Sequence, residues 1–252
     1  MEHNHGTMPT PDLTGRTAIV TGGGRGIGRA IALGYAAAGA HVVVTAARNL
    51  EEVERVAAES AELPGTIRAL QADVTIERDV ARLTDVALEH TGRIDVLVNN
   101  AARGMLFVND RFITDPEPFW EADPDAWRLV IETNIIGVFL TTRAVVQHML
   151  EHNRGSIINV TVNHETMVRK GFSPYGPSKA ALEAMTSVWA AELDGTGVVI
   201  NLLLPGGATA TGMVPPGVPA GMELLDPEIV VGPALELALT DQSGQRLIGT
   251  EF

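Results

Sequence analysis

Short runs of β-branched and apolar residues recur along the chain, separated by longer segments in which apolar positions repeat at helical spacing. The runs fall at 17–21 (TAIVT), 41–45 (HVVVT), 66–70 (TIRAL), 94–98 (IDVLV), 156–161 (SIINVT), 198–203 (VVINLL) and 246–249 (RLIG). Between them the periodicity predicts helices near 27–38, 50–62, 76–91, 124–152, 175–194 and 227–240, several closed by a glycine such as Gly39, Gly92 or Gly195. Strand and helix therefore alternate, and such units join parallel strands through right-handed crossovers. The pattern predicts an α/β fold, a single-domain doubly wound parallel sheet of seven strands flanked by helices on both faces. We expect one domain over residues 14–252, preceded by a polar, flexible leader over 1–13, with no internal repeat and no interdomain linker.

Two stretches break the rhythm. Residues 103–123 carry Asp115-Pro116, Pro118 and Asp123-Pro124 among Phe107, Phe112, Phe119 and Trp120; residues 206–226 carry Gly206-Gly207, Pro215-Pro216-Gly217 and Pro219. Each follows a strand's carboxyl end, where open α/β sheets bind ligands, so both are expected to be substrate loops. Met105, Phe107, Phe112, Trp120 and Met213 are candidate walls of an apolar pocket.

Composition narrows the chemistry. The 252 residues are 45% hydrophobic and 19% charged, which fits a packed globule and excludes a disordered chain. There is no cysteine, hence no disulfide, no thiolate nucleophile and no Cys-based metal site. A net charge of −13, with no basic stripe, argues against nucleic acid and anionic membrane as partners. No stretch reads as the roughly 20 apolar residues of a membrane span, and no signal peptide is evident, so a cytoplasmic protein is expected. His3 and His5 sit in the polar leader, and His164 and Glu165 have no partners at ligand spacing, so no metal site is expected.

The first strand leads into Thr21-Gly22-Gly23-Gly24-Arg25-Gly26-Ile27-Gly28 and then a helix. Glycines there permit a tight turn and bring backbone N–H groups and a helix N-terminus up to a pyrophosphate, as in Rossmann-type dinucleotide sites. The spacing G-x-x-x-G-x-G resembles the short-chain dehydrogenase/reductase family. The resemblance runs from Gly15 to Ile248. Asp73-Val74 looks like that family's adenine-contacting pair, and Asn99-Asn100-Ala101-Ala102 like its N-N-A-G signature with alanine last. Asn134 falls where the family keeps an asparagine of the catalytic shell, Tyr175 and Lys179 match Y-x-x-x-K, and Pro205, Gly206, Thr209 and Thr211 resemble the segment that holds the nicotinamide carboxamide.

Tyr175 and Lys179 lie four apart and so share a helix face. Opposite charges about 4 Å apart at an effective dielectric near 20 attract by roughly 4 kcal/mol, enough to bring a phenol from about 10 towards working pH. Such a phenol can give a proton to a carbonyl oxygen or take one from an alcohol. The resemblance implies that Tyr175 is the acid/base, that Lys179 also binds the nicotinamide ribose, and that Asn134 positions a relay water beside Lys179. It further implies a serine at the end of the fifth strand, and this chain has none between Ser156 and Ser173. Val162 or Asn163 takes that place, thirteen or twelve positions before Tyr175; Asn163 can donate to an oxyanion where valine cannot, and Thr161 is a third candidate.

Cofactor choice turns on the second strand, whose end reads Val44-Thr45-Ala46-Ala47-Arg48-Asn49 with no acid before Glu51. Arg48 and Arg25 can meet a 2′-phosphate, so NADP(H) is expected over NAD(H). The expectation is an oxidoreductase acting on a small ketone or secondary alcohol with an apolar body. Imine or activated C=C reduction, and a cofactor-binding regulator with little catalysis, are the alternatives. Family resemblance alone implies a homo-oligomer, tetramer or dimer, paired through the helices at 124–152 and 175–194.

Overall fold

The computed structural model describes residues 11–215 and 221–252. Most of the expected leader, with His3 and His5, and residues 216–220 of the second expected loop lie outside the described residues.

Seven parallel strands form one sheet in the order β3-β2-β1-β4-β5-β6-β7. They are β1 (Thr17–Val20), β2 (His41–Ala46), β3 (Thr66–Gln71), β4 (Val96–Asn99), β5 (Gly155–Val160), β6 (Val198–Leu204) and β7 (Arg246–Ile248). The expected strand at 94–98 begins two residues later, although Asp95 already bonds both neighbours through its backbone, to Thr17 and Ser156, and adds a side-chain bond to the Thr17 N–H. The helices are α1 (Gly26–Ala37), α2 (Leu50–Glu59), α3 (Glu77–Thr91), α4 (Pro124–Ile131), α5 (Gly137–Glu151), α6 (His164–Met167), α7 (Tyr175–Glu192) and α8 (Val231–Leu239).

Alternation along the strands builds two cores. Ala18, Val20, Val42, Val44, Val96 and Val98 face Ile31, Tyr35, Val53 and Leu237 of α1, α2 and α8. Ile19, Val43, Leu97, Ile157 and Ile200 face Leu83, Val145 and Met149 of α3 and α5, with Trp189 of α7 packed alongside. Each fully buried large aliphatic side chain contributes roughly 1.5–3 kcal/mol of transfer free energy.

One expectation is corrected here. The run Pro124–Glu151 is long and apolar enough to cross a membrane, with a mean hydropathy of 1.6 over its most apolar window. Its apolarity serves packing, since Val130, Val138, Val145 and Met149 are buried in the fold. Nor is it one regular helix: a π-helical turn over Glu132–Ile136 separates α4 from α5. Such turns often mark functional sites, and this one carries Asn134.

Beneath the carboxyl ends of β4 and β5 lies a buried polar network. Asn99 donates to Thr142 and to Asn159 and accepts from Thr141, while Asn159 donates to Thr186 of α7.

Candidate active site

Strand order reverses between β1 and β4, and the chain leaves the two strands on opposite sides of that point. Asn100 closes the gap. Its side-chain amide donates to the carbonyls of Thr21 and Gly22, at 2.9 and 3.0 Å, while the Thr21 hydroxyl accepts from the N–H groups of Asn100 and Ala101. Gly22 adopts φ +66°, and a Cβ on it would stand 2.9 Å from the Ala101 Cα. Gly28 lies under the loop rather than on the cavity, where a Cβ would come within 2.4 Å of the Gly22 carbonyl oxygen. Both glycines are therefore required by close approach.

A cavity of about 680 Å³ runs along the strand ends. Gly22, Gly24, Arg25, Gly26 and Ile27 line it from the glycine loop, Arg48 from the end of β2, and Asp73 and Val74 from the end of β3. Asn100 and Ala101 follow from β4, and Pro205, Gly206, Thr209 and Thr211 from the segment after β6. Thr211 packs on Gly26, closing the loop over the start of α1. The first turn of α1 holds no acidic residue, and its N-cap makes no side-chain bond, so its N–H groups and dipole remain free for an anion. A glycine cradle that a Cβ would fill, a bare helix N-terminus and a continuous cleft fit a nicotinamide dinucleotide.

The charges around the end of β2 are less simple than the sequence suggests. Arg25 stands 3.7 Å from Glu52, a cavity-lining carboxylate that sequence reading passed over. Arg103 was missed as well. It is 8% exposed, donates through Nε to Thr133 at 2.8 Å, lies over the Phe107 ring at 4.9 Å, and has its nearest carboxylate, Asp73, at 3.9 Å. Burial foremost, and then the charge of Arg48, pulls its pKa down. The available signal was a charged residue directly after Asn99-Asn100-Ala101-Ala102.

At the other end Tyr175 and Lys179 share a wall of the cavity, with Nζ 5.9 Å from the phenol ring centre. Lys179 donates to the Val160 carbonyl at 2.8 Å, and burial brings its pKa down to about 8. Burial also pushes the Tyr175 phenol up to about 12, which corrects the expectation of a depressed phenol: in this geometry desolvation outweighs the lysine. Asn134 does not line the cavity. Its side chain brackets the Arg103 backbone, accepting from N–H at 2.8 Å and donating to C=O at 3.0 Å, and also donates to Ser178 Oγ at 3.0 Å. Its amide is thus occupied in joining the strand-4 loop to α7.

Val162 and Asn163 both line the cavity. The Asn163 Oδ1 accepts from the Thr166 hydroxyl at 2.6 Å, which leaves the amide N–H₂ as a donor. Thr161 lines the cavity too; it is 1% exposed and its buried hydroxyl has no partner among the described residues, so it stands beside Asn163 as a third candidate donor. Met105, Phe107, Phe112 and Met213 line the cavity as expected; Trp120 does not, being 72% exposed and packed edge-on to Phe119. His164 and Glu165 are exposed, and no group able to hold a metal ion occurs among the described residues.

Residues 16–218 match the family model for short chain dehydrogenases. The chain belongs to the short-chain dehydrogenase/reductase family. This dehydrogenase is 38% identical over 194 residues to a 3-oxoacyl-[acyl-carrier-protein] reductase of Synechocystis, covering 77% of this chain and 74% of that one. It is 32% identical over 196 residues to glucose 1-dehydrogenase 2 of Bacillus subtilis, covering 77% and 72%. Among solved structures it resembles a metagenomic short-chain oxidoreductase in complex with NADP, at TM-score 0.77 and 29% identity over 94% of this chain and 97% of that one. It also resembles a 7α-hydroxysteroid dehydrogenase complexed with NADH and 7-oxo glycochenodeoxycholic acid, at TM-score 0.83 and 28% identity over 95% and 94%. As a short-chain dehydrogenase/reductase it is an oxidoreductase of the nicotinamide-dependent, Rossmann-type class.

Proposed function

We propose that this oxidoreductase couples NADP(H) to a ketone or secondary alcohol with an apolar body, with residues 14–252 acting as one cofactor-binding and catalytic domain. The observation that carries the reading is the single cavity joining the glycine loop to the Tyr175–Lys179 wall and on to an apolar cluster of Met105, Phe112 and Phe172. The bound nicotinamide supplies or accepts hydride. Gly22, Gly24, Gly26 and the first turn of α1 hold the pyrophosphate, Asp73 and Val74 the adenine, and Pro205, Gly206, Thr209 and Thr211 the carboxamide. Arg48 and Arg25 favour the 2′-phosphate, and the NADP-bound relative supports that choice.

Tyr175, a neutral phenol at pH 7 at its ordinary pKa and the more so when burial raises it, gives its phenolic proton to the carbonyl oxygen as reduction proceeds. The Lys179 ammonium beneath the ring stabilises the phenolate so formed and binds the nicotinamide ribose. Asn134, through its hold on the Arg103 backbone and on α7, positions the tyrosine helix and the water beside Lys179 that returns the proton. The free amide of Asn163 donates to the developing oxyanion. Val162, which shares with Asn163 the place the family gives to serine, offers no donor and favours a second reading, reduction of an imine or activated C=C, in which a carbonyl donor matters less.

Steady-state assays with NADPH and NADH against matched ketones, imines and enones test the assignment. Ketone turnover with NADPH, abolished in Tyr175→Phe while fluorescence titration still detects cofactor binding, is the expected result. Tyr175→Phe activity within about tenfold of wild type would mean another acid.

A further inference from the structure

Of the charged side chains that line the cavity, all but one flank the glycine loop, the end of β2, Asp73 or the Tyr175–Lys179 wall; the exception is Arg169. It sits in the turn between α6 and α7, where the Arg169 backbone carbonyl accepts from the Phe172 N–H at 3.1 Å. The turn is seated on the opposite loop, since Gly171 at φ +81° packs so closely on Pro116 that a Cβ would fall 2.3 Å from that ring. The guanidinium lies over the Phe172 ring at 5.1 Å, and that ring meets Phe112 at 5.3 Å and Tyr175 at 6.4 Å, both edge-on. Arg169 makes no side-chain hydrogen bond or ion pair among the described residues, so its N–H fork is unspent.

Phe172, and Phe112 beside it, pack with Met105 in one apolar cluster, and Val162, Met213 and Leu224 add apolar lining elsewhere along the same cavity. We propose that Arg169 receives a carboxylate at the far end of the substrate, so that the substrate class is an oxo or hydroxy acid whose apolar body spans from Tyr175 to Arg169. The inference rests on the ketone/alcohol reading above and adds the anionic end to it. A planar guanidinium braced on an aromatic face is pre-organised for two parallel bonds to a carboxylate, and because Arg169 is itself exposed, solvent partly screens the pair. The chain's net charge of −13 repels anions at long range, so recognition of one requires a local unpaired cation of this kind.

The test uses the intact enzyme with NADPH and methyl-ketone carboxylic acids of increasing chain length, each beside its carboxamide. Wild type is expected to favour the acid in kcat/KM by about tenfold at the matching length, mainly through KM, as a partly exposed charge-assisted pair allows. Arg169→Gln should bring the acid down to the carboxamide value, Arg169→Lys should keep part of the preference, and added salt should erode it in wild type. Equal turnover of acid and carboxamide by wild type, or a preference that survives Arg169→Gln, overturns the inference and leaves ketone reduction standing. Turnover of neither series overturns the ketone reading, and the carboxylate assignment with it.

Discussion

Val162 and Asn163 stand side by side on the cavity wall, one without any donor and one with half its amide spoken for by Thr166. Asn163→Ala is expected to lower kcat on a ketone by roughly 10²-fold, the scale of losing one oxyanion donor, and adding Val162→Ser should restore much of it. Steady-state kinetics on the single and double variants checks both; an unimpaired Asn163→Ala would remove Asn163 from the chemistry. The buried Lys179 carries a different signature. Its proton leaves at about 8 in the folded chain and near the ordinary 10.5 in the unfolded one. The burial penalty is therefore complete below about 8 and is relieved as pH rises from there towards 10.5. Urea unfolding of wild type and Lys179→Met should show wild type gaining on the variant over that window, and a flat difference would contradict the burial. At this scale the sequence disclosed Tyr175, Lys179 and the glycine loop, because their spacing is itself chemistry. It did not disclose the raised phenol, Arg103 or Arg169, because desolvation and cation stacking depend on partners distant along the chain.

Among the elements, the short helix α6 escapes sequence reading, since four residues make barely one turn and repeat no periodicity. It matters because α7, which opens with Tyr175, is packed directly on it. A Cβ on Gly176 would lie 1.9 Å from the Met167 carbonyl oxygen, and the Gly176 N–H donates to Phe172 at 2.7 Å. Gly176→Ala must displace α6 or tilt the start of α7. The expected result is a drop of more than tenfold in kcat together with a lowered Tm, because small displacements of an acid/base group are costly. Calorimetry and kinetics on the same preparation check it, and unchanged values for both would mean that the two helices yield freely. The strands were legible within two residues at either end, as buried β-branched runs separated by helical periods leave little choice. The break between α4 and α5 was not, because a π-helical turn preserves the apolar rhythm while inserting an extra residue into the helix.

On the molecular scale, four of the exposed apolar side chains lie on α5, the π-helical turn before it and α7. Ile136 ends the π-helical turn, Phe139 and Leu150 stand near the start and end of α5, and Val188 is 55% exposed on α7. Association through these helices would bury them, and the expected outcome is a homo-oligomer, a tetramer or dimer; a monomer mass in light scattering at micromolar concentration would refute it. The asparagine and threonine network beneath the cavity has a consequence of another kind. Strands β4 and β5 are buried on both faces along their whole length, so hydrophobicity alone scarcely distinguishes one parallel alignment from its neighbour. Asn99 opposite Asn159 does distinguish them. Sliding β5 by one residue would swing Asn159 to the other face of the sheet and break its bonds to Asn99 and Thr186, leaving its amide in a dry interior at a cost of about 1–3 kcal/mol for each polar group left unpaired. The polar cluster is thus a registry key for the middle of the sheet, selecting the one alignment of strands in which a cleft can form above it.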